Sequence, residues 1–452
     1  MKSSPTIALL DHLGGGNLGD DATLDAMMRN VKIRWPDARL VGLSMNPSDT
    51  QTRHGIPCYP IRREIWDFNE QPSSNRVSVR NKVKAALGKG NILFRVLRTI
   101  NTLAVGLPRT LFCELSFLIR SFLRIRSLDL LVISGGGQLL DSWGGTWKYP
   151  YTILKWVALA KLSGAKCYVV DVGAGPFMHP LGAYFIKCAL LLSDYVSCRD
   201  HDSLALVRKI GFSGQAFVFT DLVYSLDIRR FDGRHNVRRR ETLVGISPMA
   251  YCDPRRYWDK DQKAYDEFMR KLGAFGSQLL RDHRHVRVFS TDINFDAKAI
   301  EDLKNALSDD LSGNHPRWVL HDPIEGIDTL LSQMSDMDYV VTCRFHGVVF
   351  AHLLNKPVLA ISHHPKVRTL MTEFGLEEYC VDIRSVEPQS LLSIFERMVS
   401  NEKDIKDRMA SKVKSYREML DKQFDELFSR SFYSAGRPAG SMQSVACESL
   451  GE

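Results

Sequence analysis

Short runs of apolar and β-branched residues alternate with longer stretches of helical periodicity along the whole chain. In the first half these runs are TIALL, ARLVGLSM, DLLVISGGG, KCYVVDVGAG, YVSCRD and FVFTDL. In the second half they are TLVGISPM, HVRVFSTDI, RWVLHDP, DYVVTCRFHG, KPVLAISHH and YCVDI. Short strands that alternate with helical segments are typical of parallel sheets covered by helices. The pattern therefore predicts the α/β class.

A charged stretch, RRFDGRHNVRRRE at 229–241, separates the two series of strands. We therefore predict two α/β domains, at 1–228 and 241–430, which face a cleft. The second domain closes with a long amphipathic helix at about 402–429, and the small polar residues of 431–452 predict a flexible tail. Because ligands of open α/β sheets bind beyond the carboxyl ends of the strands, the cleft is the expected ligand site.

One segment, at about 68–126, interrupts the first domain. It begins polar and then mixes Leu, Phe and Ile with arginines against a single acid, Glu114. This composition suits a basic amphipathic helix at an anionic membrane surface. The alternative is a helical hairpin that covers the sheet and turns its arginines to water. The arginines are Arg95, Arg98, Arg109, Arg120, Arg124 and Arg126.

The charge balance changes the list of expected partners. The 452 residues carry 60 Lys and Arg against 52 Asp and Glu, a formal net charge of +8 with a sequence pI near 8.9. The basic residues are spread along the chain and form no recognised nucleic-acid module, so we do not expect a nucleic-acid partner. An anionic small substrate or an anionic membrane surface accounts for the charge equally well.

Cysteine usage and apolar run lengths bear on the compartment. The nine cysteines include no C-x-x-C pair, and no other cluster has metal-ligand spacing, so the sequence predicts neither a disulfide framework nor a metal site. The first apolar run is too short for a secretory signal, and no run of about 18 apolar residues occurs. We expect a cytoplasmic protein, with peripheral contact at the inner face of the membrane through the insertion.

The first glycine-rich turn, DHLGGGNLGDD, follows the strand TIALL. Gly14, Gly16 and Gly19 satisfy the G-x-G-x-x-G pattern of dinucleotide-binding turns, and a strand, turn and helix are the correct context. The second strand, however, is followed by Asn46 and Pro47 instead of the acid that would hold a ribose. The pattern alone is therefore insufficient to predict a dinucleotide.

The start of the helix after this turn argues against a bound phosphate. Asp20 and Asp21 in a first helical turn would compete with an anion for the same N–H groups. We expect the turn to bind sugar hydroxyls instead, with Gly15 and Gly16 allowing close backbone approach and Asn17 and Asp20 forming hydrogen bonds. The alternative is a tight turn that Asp20 caps.

Two further strand ends carry small residues. ISGGGQLLDSWGG places Gly136 and Gly137 after the strand DLLVIS, and DVGAGP ends the strand CYVV. Together with the first turn, they predict that this edge of the sheet is kept open for a ligand. Gly136 and Gly137 are therefore candidate cleft-lining residues on the acceptor side.

The clearest chemistry follows the strand DYVVTC, where Arg344 and His346 stand two residues apart. An arginine offers a planar fork to carboxylate or phosphate, and a histidine can move a proton near neutral pH. Arg199 ends another strand in the first domain, so the two arginines could clamp one dianion, and Lys366 could add a third positive charge. For Arg344, a buried structural pair with a carboxylate is the alternative.

These motifs together resemble the polysaccharide pyruvyl transferase family. The shared set is G-G-x-N-x-G-D, S-G-G-G, D-x-G-x-G-P, C-R-D-x-x-S, C-R-F-H-G followed by F-A-x-x-L-x-K-P, and H-P-K. The resemblance extends from about residue 7 to residue 385 and leaves out the insertion and the tail. It implies two Rossmann-like domains similar to the glycosyltransferase type B fold.

The resemblance also implies a reaction. Phosphoenolpyruvate, as co-substrate and without a further cofactor, would place a pyruvate ketal on two hydroxyls of a sugar in a polysaccharide or its lipid-linked precursor. Arg199 and Arg344 resemble the donor-binding arginines of the family, and His346 its catalytic histidine. Lys366 is a third donor-binding candidate, although the family often has an aspartate before this lysine where this chain has His364 and Pro365.

Two other functions remain open from the sequence. A glycosyltransferase that uses a nucleotide sugar would need a ribose-binding acid near the end of the second sheet, and Glu373 or Glu377 could supply it. A non-catalytic saccharide-binding protein of the same fold would not need Arg344 and His346. Their presence in an otherwise complete set of motifs favours the transferase.

Overall fold

The computed structural model describes residues 4–11, 14–64, 107–142, 144–231, 241–257, 259–309 and 319–429. These residues form two compact units. The first unit lies within Met1–Gly15 and Asp37–Val218, and the second within Gly16–Pro36 and Phe219–Arg437. Most of the predicted insertion, at 68–106, and the predicted tail at 431–452 lie outside the described residues.

The first unit is a parallel sheet of seven strands in the order β3-β2-β1-β4-β5-β6-β7. The order reverses between β1 and β4, which makes the carboxyl ends of these two strands the expected ligand-binding edge. Near-continuous apolar runs such as LLVIS are buried throughout, because helices cover a parallel sheet on both faces. The strands are β1 (Thr6–Leu10), β2 (Arg39–Ser44), β3 (Cys58–Pro60), β4 (Leu130–Ser134), β5 (Lys166–Val172), β6 (Tyr195–Cys198) and β7 (Phe217–Val218).

The first helix after β1, α1 (Leu18–Arg34), groups with the second unit instead of the first. The predicted boundary at 228 therefore differs from the division in the structure, where the first unit ends at Val218. The other helices of the first unit are α2 (Pro47–His54), α3 (Leu107–Ile125), α4 (Tyr149–Leu162), α5 (Pro180–Leu192) and α6 (His201–Lys209).

Helix α3 belongs to the predicted insertion, and one of its faces packs on the unit. Phe117, Ser121 and Ile125, spaced four residues apart, are buried. The one acid of the helix, Glu114, accepts a hydrogen bond from Lys155 on α4 at 3.1 Å. One face of α3 therefore packs on the core of the first unit, while most of the hairpin that the alternative interpretation expected lies outside the described residues.

The second unit repeats the architecture with six parallel strands in the order β10-β9-β8-β11-β12-β13. The order reverses between β8 and β11, so the carboxyl end of β11 lies at the expected ligand-binding edge of this sheet. The strands are β8 (Leu243–Ser247), β9 (His285–Val288), β10 (Val319–Leu320), β11 (Tyr339–Thr342), β12 (Val358–Ser362) and β13 (Cys380–Asp382).

The helices of the second unit, besides α1, alternate with these strands as the sequence pattern predicts. The long amphipathic helix expected at about 402–429 is the last of them. They are α7 (Gln262–Arg281), α8 (Ala297–Asp309), α9 (Ile327–Ser335), α10 (Phe345–Leu353), α11 (Pro365–Glu373), α12 (Pro388–Ser400) and α13 (Glu402–Leu427). Short 3-10 helices occur at Leu222–Ser225, Arg229–Phe231, Glu377–Tyr379 and Ile383–Ser385. Within the described residues, no helix has the length and apolar character needed to cross a membrane.

Candidate active site

His346 stands in the first turn of α10, directly beyond the carboxyl end of β11. The tight connection from the strand to the helix depends on Gly347, where a Cβ would overlap the hydroxyl of Thr342 and lie 3.1 Å from its Cβ. The local sequence T-C-R-F-H-G thus turns the chain sharply enough to hold the imidazole at the switch point of the second sheet.

Gly19 and Asp221 approach His346 from two other segments. A Cβ on Gly19 would lie 2.6 Å from Cε1 of the imidazole and closer still to Nδ1 and Cγ, so only a glycine leaves room for the ring. Oδ2 of Asp221 lies 3.9 Å from Nε2 of His346, and both side chains are largely buried. A carboxylate that faces one ring nitrogen orients the imidazole and favours one proton position.

Sequence reasoning missed Asp221, although a signal was present. Asp221 stands shortly after β7, in the stretch FTDLVY, so it was a polar residue beyond a strand end. Its Oδ1 accepts a hydrogen bond from the backbone N–H of Val223 at 3.1 Å and so caps the 3-10 helix Leu222–Ser225. This bond fixes the carboxylate that faces His346.

The glycine turn is joined to the loop after β9. The N–H of Leu18 donates to the carbonyl of Thr291 at 2.8 Å, and the N–H of Ile293 donates to the carbonyl of Gly16 at 2.9 Å. Gly16 has φ +79°, and a Cβ there would lie 2.5 Å from Nδ2 of Asn294. These bonds explain why Gly16 and α1 group with the second unit.

Asn17, and not Asp20, caps α1. The side-chain oxygen of Asn17 accepts a hydrogen bond from the N–H of Gly19 at 3.1 Å. The expectation that Asp20 caps this turn is therefore wrong, because the residue before the helix already supplies the acceptor. Asp20 itself is buried in the first turn of α1, with 4% of its surface exposed.

Arg344 forms a buried pair with a carboxylate, which was the alternative left open by the sequence. Its Nε and Nη2 donate to the two carboxylate oxygens of Asp296 at 2.8 and 2.7 Å, and Nη2 lies 3.6 Å from Asp292. The Asp296 side chain is fully buried and also accepts hydrogen bonds from Ala250 and Ser290. Burial acts to lower the pKa of Arg344, but Asp296 and Asp292 raise it above its ordinary value.

Asp292 is unusual among these carboxyl groups. Burial raises its pKa to about 7; Arg344 opposes this rise, and the nearby charges of Asp296 and Asp20 add to it. The three acids Asp20, Asp292 and Asp296 and the base Arg344 thus lie in one largely buried neighbourhood. The protonation of Asp292 controls the net charge of these four groups near neutral pH.

Lys366 lies beside the first residue of α10. Its Nζ is 5.6 Å from the centre of the Phe345 ring, the residue between Arg344 and His346. The ring of His363 contacts the carbonyl of Cys343 at 3.1 Å through Nδ1. Burial, with the charges of Lys366 and Arg344, lowers the pKa of His363 to about 3, so His363 is neutral at physiological pH.

The remaining site candidates belong to the first unit. Arg199 follows β6 with 7% of its side chain exposed, and its Nε lies 3.5 Å from Asp200. The guanidinium lies against Gly173, where a Cβ would be 2.9 Å from Cζ. The carbonyl of Gly136 accepts a hydrogen bond from the N–H of Gly173 at 2.7 Å, so Gly136 and Arg199 share one neighbourhood beyond β4, β5 and β6. The predicted clamp between Arg199 and Arg344 stays a prediction.

Other predicted glycines have different surroundings. Gly137 has open space, because a Cβ at this position would have only Leu140 within 4 Å, at 3.8 Å. Gly15 is the last residue of the first segment of the first unit.

Sequence reasoning also missed a buried chain of hydrogen bonds in this unit, in which Tyr149 donates to Gln138 and Gln138 donates to Asp11.

Within the part of the chain that the structure describes, no group of three His, Cys, Asp or Glu residues is arranged to hold a metal ion.

The family model for polysaccharide pyruvyl transferase matches residues 17–365. The chain belongs to the polysaccharide pyruvyl transferase family. It is therefore a transferase, and the resemblance that the motifs indicated is confirmed.

The match covers most of the candidate residues of this pyruvyl transferase family member. It includes Asn17, Asp20, Arg199, Arg344 and His346, together with the Asp221 that the structure adds. A curated relative, the amylovoran biosynthesis protein AmsJ of Erwinia amylovora, is 19% identical over 414 residues, which cover 89% of this chain and 94% of the relative.

Solved structures share the fold at low sequence identity. A putative UDP-N-acetylglucosamine 2-epimerase from Listeria monocytogenes matches with a TM-score of 0.56 and 12% identity, over 96% of this chain and 98% of its own. The UDP-GlcNAc 2-epimerase of Methanocaldococcus jannaschii matches with a TM-score of 0.54 and 12% identity, over 87% and 92%. The predicted fold class, two Rossmann-like parts similar to the glycosyltransferase type B fold, is confirmed.

Proposed function

We propose that this protein transfers pyruvate from phosphoenolpyruvate to two hydroxyls of a sugar and forms a ketal. The acceptor is a polysaccharide under assembly or its lipid-linked precursor. Family membership supports a saccharide acceptor. The name of the amylovoran relative supports a role in exopolysaccharide biosynthesis.

The observation that carries the proposal is the environment of His346. The imidazole is held between Gly19 and Asp221 at the carboxyl end of β11, two residues after Arg344, and Nζ of Lys366 lies 5.6 Å from the ring of the neighbouring Phe345. An oriented histidine in a region that also provides cationic side chains suits proton transfer on an anionic substrate. Phosphoenolpyruvate carries both a carboxylate and a phosphate, which are the groups that arginine and lysine bind well.

Ketal formation requires two new C–O bonds at one carbon. The oxygen of the first sugar hydroxyl bonds to C2 of the enol phosphate as the hydroxyl loses its proton, and a proton adds to the methylene carbon, which becomes the methyl group. The second hydroxyl then displaces phosphate from C2, and its proton leaves with phosphate or solvent. His346 can deliver the proton to the methylene carbon or remove one from a hydroxyl, and either step needs the fixed ring orientation that Asp221 supports.

Neighbouring groups of the second unit would have different roles in this reaction. Asp20 and Asp292 are acceptors that suit sugar hydroxyls and repel anions when ionised. Lys366 and the Nη1 nitrogen of Arg344, which takes no part in the bonds to Asp296, suit an anionic donor. Because the pKa of Asp292 is raised to about 7, protonation below that pH would lessen its repulsion of the donor.

The direct test is phosphate release from phosphoenolpyruvate with galactosyl, glucosyl and mannosyl acceptors, together with mass spectrometry of the products. We expect phosphate release that depends on an acceptor, and a product heavier by one pyruvic acid less one water. Binding and turnover of a nucleotide sugar, with no response to phosphoenolpyruvate, would contradict the proposal. Of the two acids that a glycosyltransferase could use, Glu373 is less suited, because it accepts a hydrogen bond from Tyr416 at 2.6 Å.

A further inference from the structure

Exposed bulky apolar side chains are concentrated on three helices of the first unit. Among the described residues, every exposed large hydrophobic side chain except Ile33 lies on α3, α4, α5 or the loops that lead into them. Large exposed apolar surface is uncommon on soluble monomers and usually marks an interaction site. The side chains are Leu111, Phe112, Leu115, Ile119, Leu123, Trp147, Leu162, Met178, Leu181, Tyr184, Leu191 and Leu192.

Helix α3 has two apolar faces on opposite sides. Phe117, Ser121 and Ile125 face the core, whereas Leu115, Ile119 and Leu123, each two residues earlier, are 52–55% exposed. A shift of two residues turns a side chain by roughly 200° around a helix, so the exposed line is opposite to the buried one. Phe112, at 72% exposed, extends the exposed line by one turn.

Helix α5 presents a second exposed line. Leu181, Tyr184 and Leu191 follow one another at helical spacing and are 45–57% exposed. Residues of α3, α4 and α5 share one buried cluster on a single face of the sheet, so the outer sides of the three helices belong to one layer. Trp147 joins this layer through an edge contact with Phe185 on α5, at 5.4 Å between ring centres.

The charges of the three helices are almost all positive. Their sequences contain six Lys and Arg and a single acid, Glu114, which pairs with Lys155. Arg109, Arg120 and Arg124 follow one edge of α3, between its buried line and its exposed apolar line. Arg120 donates to the carbonyl of Ser116, and Arg124 lies over the Tyr59 ring, so neither is neutralised by an acid in these contacts.

We propose that the outer face of α3, α4 and α5 binds an anionic lipid surface. The apolar line of α3 would enter the boundary between headgroups and acyl chains, and the arginine edge would contact lipid phosphates. A second copy of this chain is a poorer occupant, because a self-complementary interface would bring two arginine edges together without acids. This inference does not depend on the proposed reaction, since it concerns where the protein binds and not what it converts.

Vesicle flotation of the full chain tests the proposal. We expect binding to vesicles that contain phosphatidylglycerol, weak binding to pure phosphatidylcholine vesicles, and loss of binding at high salt. Each surface arginine near an anionic membrane contributes about fivefold in affinity, so R109E/R120E/R124E should reduce partitioning by at least about 100-fold. F112S/L115S/I119S should abolish binding without a change in net charge.

Matched variants on the second unit provide the controls. K263E/R270E/R281E makes the same charge change on α7, and I33S removes an exposed apolar side chain from α1; both should bind like the wild type. Circular dichroism and thermal unfolding verify that each variant is folded. The proposal is overturned by equal binding to neutral vesicles, or by unchanged binding of the α3 variants.

Two other results would identify a different occupant and overturn the proposal. A dimer that the α3 variants dissociate, in a protein that binds no vesicles, would assign the face to a second copy. A large loss of thermal stability in F112S/L115S/I119S, with no vesicle binding by the wild type, would mean that another part of the chain covers the face.

Discussion

The ring of His346 lies where a side chain on Gly19 would have to be, so the first turn of α1 and the first turn of α10 fit together only with a glycine at position 19. The third glycine of the G-x-G-x-x-G pattern therefore makes room for an imidazole. In a dinucleotide-binding turn, the third glycine instead allows the helix to pack closely against a strand. This contact explains how the pattern occurs in a site with acids at the helix start.

Replacing Gly19 by Ala should displace the His346 ring. We expect kcat to fall by about 10- to 100-fold, because misplacement of a catalytic group by about an ångström has an effect of this size. Overpacking should also lower the free energy of unfolding by roughly 1–3 kcal/mol. Steady-state kinetics and urea unfolding measure the two effects, and normal turnover in G19A would show that the ring position is not critical.

His346→Gln and Asp221→Asn separate proton transfer from ring orientation. His346→Gln keeps a similar volume but cannot transfer a proton, so kcat should fall by about 10²–10⁴ while phosphoenolpyruvate affinity stays close to that of the wild type. Asp221→Asn retains an acceptor for Val223 but loses the charge that faces the ring, so we expect a smaller loss in kcat with little change in KM. Calorimetry with kinetics checks both, and unimpaired turnover by H346Q would refute the assigned role.

Arg199 and Arg344 should respond differently to truncation. If Arg199 binds the donor as proposed, Arg199→Ala should remove charge-assisted hydrogen bonds worth roughly 1.5–3 kcal/mol, about ten- to a hundredfold in donor affinity, and lysine should restore only part of it. Arg344→Ala should in addition destabilise the fold by about 3–5 kcal/mol, because it leaves Asp296 buried without its ion pair. Calorimetry and urea unfolding test this contrast. Equal stability of both variants would contradict it.

The raised pKa of Asp292 predicts a pH-dependent stability. Its pKa is about 7 in the folded protein against roughly 3.9 in an unfolded chain, so its stabilising contribution is complete below about pH 4 and is lost as the pH rises to about 7. Asp292→Asn removes this titration and should be more stable than the wild type at pH 8, by on the order of 2–4 kcal/mol. Urea unfolding from pH 4 to 8 measures the difference, with the exposed Asp407→Asn as a control that should change little.

Asp20→Asn tests the glycine turn as an acceptor site. The variant keeps the size of the side chain and leaves the Asn17 cap in place, so α1 should remain intact. We expect a higher KM for the sugar acceptor, with phosphoenolpyruvate affinity nearly unchanged. Calorimetric titration of the wild type with NAD is the complementary measurement, and tight binding would restore the dinucleotide interpretation.

Local sequence patterns predicted much of the architecture. The alternation of apolar runs and helical periodicity predicted two parallel sheets, and the motif order indicated the family. The stretch from β11 to α10 placed Arg344 and His346 together beyond a strand end, because a strand, a sharp turn and a helix are encoded within a few residues. The residues of this stretch were therefore sufficient to make His346 a candidate.

The tertiary structure decided which residues surround that histidine. Gly19, Asp221 and Asp296 reach His346 and Arg344 from distant segments, and nothing in the periodicity of those segments specifies their partners. The sequence likewise does not specify which face of α3 is buried, because its two apolar faces have similar patterns although only one packs on the core. The sequence by itself determined local backbone structure and the chemistry available at strand ends. Partners across the fold depended on packing, because burial and electrostatic neighbours are set by the elements that meet in space.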